Sequence, residues 1–320
     1  MDRSSNRGTG LVLSPAYLEH QTGSGHPEQP LRVRAIEERL AADGLLDRAV
    51  RIEPRPATEQ EILRCHAADY LGQVRADIAR GADRLSTGDT AVSPQSLDTA
   101  VLAAGGVLAA VDAVMAGKVA NAFAVVRPPG HHATPDRGMG FCLFNNVALA
   151  ARHVQAAHGV GRVLIADWDV HHGNGTQDIF YEDGSVFFFD THQHPLYPGT
   201  GAAGETGRGR AAGCIMNCPF PAGAGRTEIV GAFRDRLVPA AEAFRPEFVL
   251  VSAGFDSRID DPLGGFRLTD DDFAELTGIV KGIAARHAQG RLVSTLEGGY
   301  RLAGLASAAA SHVRALMEPS

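Results

Sequence analysis

The run Asp167-Trp168-Asp169-Val170-His171-His172-Gly173-Asn174-Gly175 packs two carboxylates, two imidazoles and an amide into one short stretch, directly after the apolar segment Val163–Ala166. If that segment is a strand, alternation sends Asp167, Asp169 and His171 to one side at its carboxyl end. Two carboxylates buried together repel, and a cation between them is the simplest compensation. Taken alone, an Asp-x-His run also fits a salt-bridged loop. A second apolar segment, Phe248–Ser252, ends in Ala253-Gly254-Phe255-Asp256 and brings a further carboxylate to the same sheet edge. Asp169, His171 and Asp256 then form a three-donor set with an open position for water. That set suits Zn2+, and its oxygen content leaves Fe(II) open.

Two further runs carry the groups that such a cation needs beside it. Ala122–Val126 leads into Arg127-Pro128-Pro129-Gly130-His131-His132, where adjacent histidines after a rigid turn offer a base for water; a polar loop is the plainer alternative. Leu296-Glu297-Gly298-Gly299-Tyr300 sets a phenol on a glycine turn, able either to donate to a developing oxyanion or simply to pack.

The elements that must position these residues are legible as short apolar runs bounded by turn residues: Gly10–Ser14, Ala122–Val126, Val163–Ala166, Val186–Phe189, Phe248–Ser252 and Arg291–Leu296. Segments with helical spacing lie between them: Leu31–Ala42, Ser96–Ala116, Asn145–Ala157, Thr227–Ala243, Asp270–His287 and Leu302–Leu316. Ser93-Pro94 is expected to open one helix, and Thr269 with Asp270, Asp271 and Asp272 another. Alternating strands and helices predict a doubly wound α/β sheet. Polar, glycine-rich stretches follow the strands at Arg127–Gly140, Asp167–Gly175, His192–Gly209, Gly254–Gly265 and Glu297–Tyr300, at the edge where open parallel sheets bind ligands.

No linker or repeat divides the 320 residues, so the expectation is one catalytic domain over 1–320. The polar start, Met1–Gly10, lacks an apolar signal core and no window approaches 18 consecutive apolar residues, which predicts a cytoplasmic protein away from membranes. Cys65, Cys142, Cys214 and Cys218 form no C-x-x-C pair and read as reduced thiols in or beside apolar stretches. A net charge of −7 with scattered arginines argues against direct nucleic-acid binding. The oligomeric state is left open.

Together, Arg127–His132, Gly140-Phe141-Cys142, Asp167–Thr176, Tyr197–Gly201, Ser252–Ser257 and Glu297–Tyr300 resemble, in order and spacing, the class II histone deacetylases and their bacterial relatives. The resemblance runs from His26-Pro27-Glu28 to Tyr300. It implies an arginase-like α/β domain around an eight-stranded parallel sheet and one Zn2+ held by Asp169, His171 and Asp256. His131 and His132 become the acid–base pair, with Asp167 orienting His131 and the amide of Asn174 holding His132. Tyr300 becomes the donor to the acyl oxygen. Gly140, Phe141, Tyr197 and Gly298 become walls of a narrow acyl-lysine channel, in which Tyr197 adds a hydroxyl where the family commonly has Phe. Relatives also bind K+ near Asp167 and behind His171, although Asp190 stands where many have Ser.

The implied reaction is hydrolysis of an N-acyl-lysine amide by metal-activated water, on a protein, a peptide or a small acylated amine. Three other readings compete. An arginase-like dimanganese hydrolase is disfavoured by Gly173, where Asp-x-His-x-Asp would need a second carboxylate. A non-catalytic acyl-lysine reader would not need both histidines and Tyr300. An acetylpolyamine amidohydrolase would carry an acidic residue where Leu263 stands in Asp256–Gly264. Asp260 and Asp261 lie nearby, but an exposed carboxylate a few residues away contributes little. His20, His66, His153, His158, His287 and His312 are read as surface or packing residues; His172, His192 and His194 as loop-shaping; His26 as a rim residue or a structural turn.

Overall fold

Val163, Leu164, Ile165 and Ala166 are all buried, on both faces of their strand, the condition of a parallel sheet covered by helices on either side. The computed structural model describes residues 8–319, so that the polar start at 1–7 lies outside the described residues. In chain order the first half comprises β1 (Thr9–Val12), α1 (Leu31–Ala42), α2 (Leu45–Arg48), β2 (Val50–Ile52), α3 (Glu59–Ile62), α4 (Ala68–Ala79), α5 (Ser96–Met115), β3 (Asn121–Ala124) and α6 (Asn146–His158). The second half comprises β4 (Val163–Asp167), α7 (Asn174–Phe180), β5 (Val186–Gln193), β6 (Ile215–Phe220), α8 (Arg226–Ala232), α9 (Val238–Phe244), β7 (Phe248–Ala253), α10 (Asp270–His287), β8 (Leu292–Leu296) and α11 (Leu302–Met317).

The eight strands form one parallel sheet in the order β2-β1-β3-β8-β7-β4-β5-β6. Four chemistry-bearing loops follow four strands that are side by side at its centre: the His131-His132 loop after β3, the Tyr300 loop after β8, the Asp256 loop after β7 and the Asp169-His171 loop after β4. Adjacency of strands therefore brings together residues up to 169 positions apart in sequence (from 131 to 300).

Helix α5 is long and apolar enough to cross a membrane, but Val107, Leu108 and Val111 are buried in the common core, and the helix packs on β1, β3 and β8. Helix α10 begins as expected: Asp272 accepts from both the backbone N–H and the hydroxyl of Thr269, at 2.8 Å each.

Several expectations are corrected. Strand β4 ends at Asp167, so Asp169 and His171 are set by an irregular loop rather than by strand alternation. Ser93 does not cap α5; its hydroxyl accepts from Gln21 N–H at 3.2 Å, and the helix starts at Ser96. The single helix expected over Thr227–Ala243 is interrupted by a widened turn, Phe233–Leu237. Strand β5 runs through Asp190–Gln193 because β6 pairs with it there, burying polar residues that end the apolar run in sequence. Strands β2 and β6 and helices α4 and α7 carried no clear periodicity: β2 has three residues centred on Arg51, and β6, at the sheet edge, contains Asn217 and Pro219.

Candidate active site

Asp169, His171 and Asp256 converge. His171 Nδ1 lies 3.0 Å from Asp169 Oδ1 and 3.2 Å from Asp256 Oδ2, all three side chains are buried or nearly so, and one donor atom from each falls within 4.8 Å of the others. Asp256 Oδ2 is buried with no hydrogen-bond partner, while Oδ1 accepts from Val170 N–H at 2.9 Å. An orphaned carboxylate oxygen facing an imidazole and a second carboxylate fits a divalent cation of the zinc type. Burial opposes charge on His171, but the hydrogen bond to Asp169 and the nearby Asp256 carboxylate raise it to about 10. Burial and then the Asp169 charge raise Asp256 to about 7. Gly298 completes the cradle. Its N–H donates to Asp169 Oδ2 at 2.8 Å, and a Cβ there would stand 2.0 Å from Asp256 Oδ2.

The histidine pair sits beside this cluster, its rings 4.0 Å apart between centroids. His131 Nδ1 donates to Asp167 Oδ2 at 2.9 Å; burial opposes its charge, but Asp167 and Asp169 hold it well above the ordinary imidazole value. His132 Nδ1 donates to Asn174 Oδ1 at 2.8 Å. Burial, and then the charge of His131, hold His132 well below the ordinary value. The carboxylate contact thus favours charge on His131, while the surroundings of His132 favour its neutral form, with Nε2 free of the Asn174 contact.

Phe141 and Tyr197 flank the approach. Phe141 meets Tyr300 edge-on at 6.0 Å and His26 at 4.7 Å, while Tyr197 meets His132 edge-on at 5.2 Å. His26 is therefore at the rim, and it also accepts from Glu28 N–H at 3.1 Å, so both readings of that residue hold. Gly140 and Phe141 have φ of +56° and +68°, and a Cβ on Gly140 would lie 2.2 Å from the His132 ring. Tyr300 is buried; burial and then the Asp256 charge keep its phenol protonated far above its ordinary range. Leu263 is half-buried, in a loop that folds back so that a Cβ on the adjacent Gly264 would touch Asp256 O and Val170. Asp190 commits both oxygens, to His192 Nδ1 at 2.7 Å and to Gly173 N–H at 2.8 Å.

Other residues support the site in roles that the sequence did not announce. Glu297 Oε2 accepts from Gly130 N–H at 2.7 Å and His131 N–H at 3.1 Å, tying the Tyr300 loop to the histidine loop. Asp261, expected to be an exposed carboxylate, is instead buried, and its Oδ2 accepts from Tyr300 N–H at 2.7 Å. Arg32 Nε donates to Gly299 O at 2.6 Å, and its guanidinium lies 5.0 Å from the Tyr300 ring centre. Glu28 binds Arg127 bidentately at 2.6 and 2.8 Å, and also Arg32; although burial opposes it, the two arginines hold Glu28 down at about 2. Asp89 Oδ1 accepts from Gly140 N–H at 2.7 Å and from the Tyr197 hydroxyl at 3.4 Å. An acidic residue inside a glycine-rich or apolar loop, as at Glu297 and Asp89, is the signal that would have pointed to them. Among the remaining histidines, His20, His66 and His312 are buried and hydrogen-bonded, in keeping with packing roles.

A parallel eight-stranded sheet carrying this cluster defines an amide-hydrolysing metalloenzyme class. The chain matches the histone deacetylase domain over residues 26–316, and it belongs to that family. It is 40% identical, over 285 residues, to a histone deacetylase-like amidohydrolase of Pseudomonas aeruginosa, covering 89% of this chain and 75% of that one. It is also 40% identical, over 301 residues, to polyamine deacetylase HDAC10 of Homo sapiens, covering 91% of this chain and 44% of that one. The crystal structure of the HDA15 HD domain matches with a TM-score of 0.91 at 38% identity, over 97% of this chain and 88% of the other. The arginase-like fold expected from the resemblance is thus the fold observed.

Proposed function

We propose that this protein is a zinc-dependent deacylase that hydrolyses the amide of N-acetyl-lysine or a related acyl-lysine. The observation that carries this reading is the convergence of Asp169, His171 and Asp256 beside the buried pair His131 and His132, whose Nδ1 atoms are held by Asp167 and Asn174. A cation held by those three residues supplies Lewis acidity toward the acyl carbonyl and toward water. His132 accepts the proton of the attacking water at Nε2 and later returns it to the departing amine. His131 stays charged on Asp167 and favours the negative charge that develops on the carbonyl oxygen. Tyr300 donates its phenolic O–H to that oxygen, while Phe141 and Tyr197 enclose the aliphatic stem of the substrate.

Acetyl-lysine peptide hydrolysis should fall on chelation and return with Zn2+. Asp256→Ala should lose about one metal equivalent relative to the parent, together with activity. Either full activity in that variant or an unchanged metal content would overturn the assignment. An acetylpolyamine is the second substrate class, favoured by the likeness to the human polyamine deacetylase.

A further inference from the structure

Away from the sheet edge, Asp112 on α5 faces the C-terminal half of α6, where His153 Nε2 and His158 Nε2 each lie 2.7 Å from the same oxygen, Asp112 Oδ1. The helix rise places His153 about 12 Å along α6 from its cap, Asn145. We propose that Asp112, His153 and His158 form a second divalent-cation site, selective for zinc-like ions, that clamps α5 to α6.

One donor atom from each of the three residues falls within 4.8 Å of the others, a two-histidine, one-carboxylate set that leaves positions for water. The surroundings supply what such a set requires. A metal-bound histidine needs an acceptor for its other ring N–H, and Glu61 Oε1 on α3 stands 3.5 Å from His153 Nδ1. Glu61 is itself fixed by Arg55, at 2.6 and 2.8 Å. His153 is buried and preset, whereas the side chains of His158 and Asp112 are 25% and 41% exposed, which gives an ion a way in. Two positive groups compete. Arg64 Nη1 is 3.3 Å from His153 Nδ1, and Arg55 is 4.0 Å from Asp112 Oδ2. Arg64 is exposed and free to swing away as His153 turns its Nδ1–H to Glu61. Imidazole donors favour Zn2+ or Ni2+ over Mg2+, whose preference is for oxygen and water.

Calorimetric titration of Zn2+ tests this, with the parent and His158→Gln already carrying their tightly held metal and Asp256→Ala lacking it. One further equivalent should bind to the parent and to Asp256→Ala, none to His158→Gln, and Mg2+ should bind to none of them. Excess Zn2+ should also raise the unfolding midpoint of the parent by a few degrees but not that of His158→Gln, because an ion that binds only the folded chain stabilises it. Equal uptake by the parent and His158→Gln, no further uptake by the parent, or loss of the second equivalent in Asp256→Ala would each overturn the proposal. The outcome is independent of whether the protein deacylates lysine.

Discussion

His132 donates its Nδ1–H to the amide oxygen of Asn174 at 2.8 Å, whereas its neighbour His131 donates to the carboxylate of Asp167 at 2.9 Å. An amide favours the imidazolium less than a carboxylate does, and burial, followed by the charge of His131, pushes His132 well below its ordinary value of 6.5. A base must be neutral to act, so activity persists as pH falls and is lost only through that lowered value. Asn174→Asp adds a negative charge, raises the pKa of His132, and should move the acidic limb of kcat/KM to higher pH. A superimposable pH–rate profile would exclude His132 as the base.

Tyr300 is held from two directions, by Asp261 at its backbone N–H and by the Arg32 guanidinium over its ring. Removing its hydroxyl should therefore leave the fold and the metal cluster intact. Tyr300→Phe is expected to lower kcat on acetyl-lysine by about 10²–10³ with unchanged metal content, the usual cost of losing one oxyanion donor. Near-normal turnover would move that role to another group.

The sequence carried the centre of this site further than its supports. Polar residues that directly follow strongly apolar strands announced Asp169, His171, Asp256, His131 and His132. Helices α1 and α10 were legible to the residue because amphipathic spacing and, for α10, the Thr269–Asp272 box coincide. Edge strands β2 and β6 were not, since one is too short and the other too polar to show a period. Nor were Glu297, Asp261 and Arg32 as positioning residues. Their partners lie 39 to 267 residues away, and a charged residue in a loop ordinarily reads as solvated until packing buries it.

Gly298 illustrates the same gap. The resemblance assigned it to the channel wall, and its α-carbon also lies against two ligand carboxylates, with 2.0 Å to Asp256 Oδ2 for any Cβ. Gly298→Ala should displace Asp256 or the Asp169 contact and reduce metal content and activity together, while far-UV circular dichroism stays that of the parent. Retention of full metal content would show that the cradle yields without cost.

The choice of substrate rests on Leu263. It is half-buried in the loop that returns past Asp256, and its N–H donates to Asp261 Oδ1 at 2.9 Å, which fixes the backbone at that position. An apolar side chain there offers nothing to the second ammonium of an acetylated polyamine, but it suits the uncharged flank of a peptide. Nearby acidic groups do not substitute for it. Asp261 is committed to backbone N–H groups, and Asp260 is paired with Arg258 at 2.5 Å. Phe141 and Tyr197 contribute apolar area to either substrate and so do not discriminate. We therefore expect kcat/KM for an acetyl-lysine peptide to exceed that for N8-acetylspermidine by roughly tenfold, about 1.4 kcal/mol of transition-state binding. Leu263→Glu should narrow or reverse the ratio, chiefly by raising kcat/KM for the polyamine, and its effect should weaken with added salt because the new charge is partly exposed. A parent enzyme that prefers the polyamine would overturn this choice and leave the metal chemistry untouched.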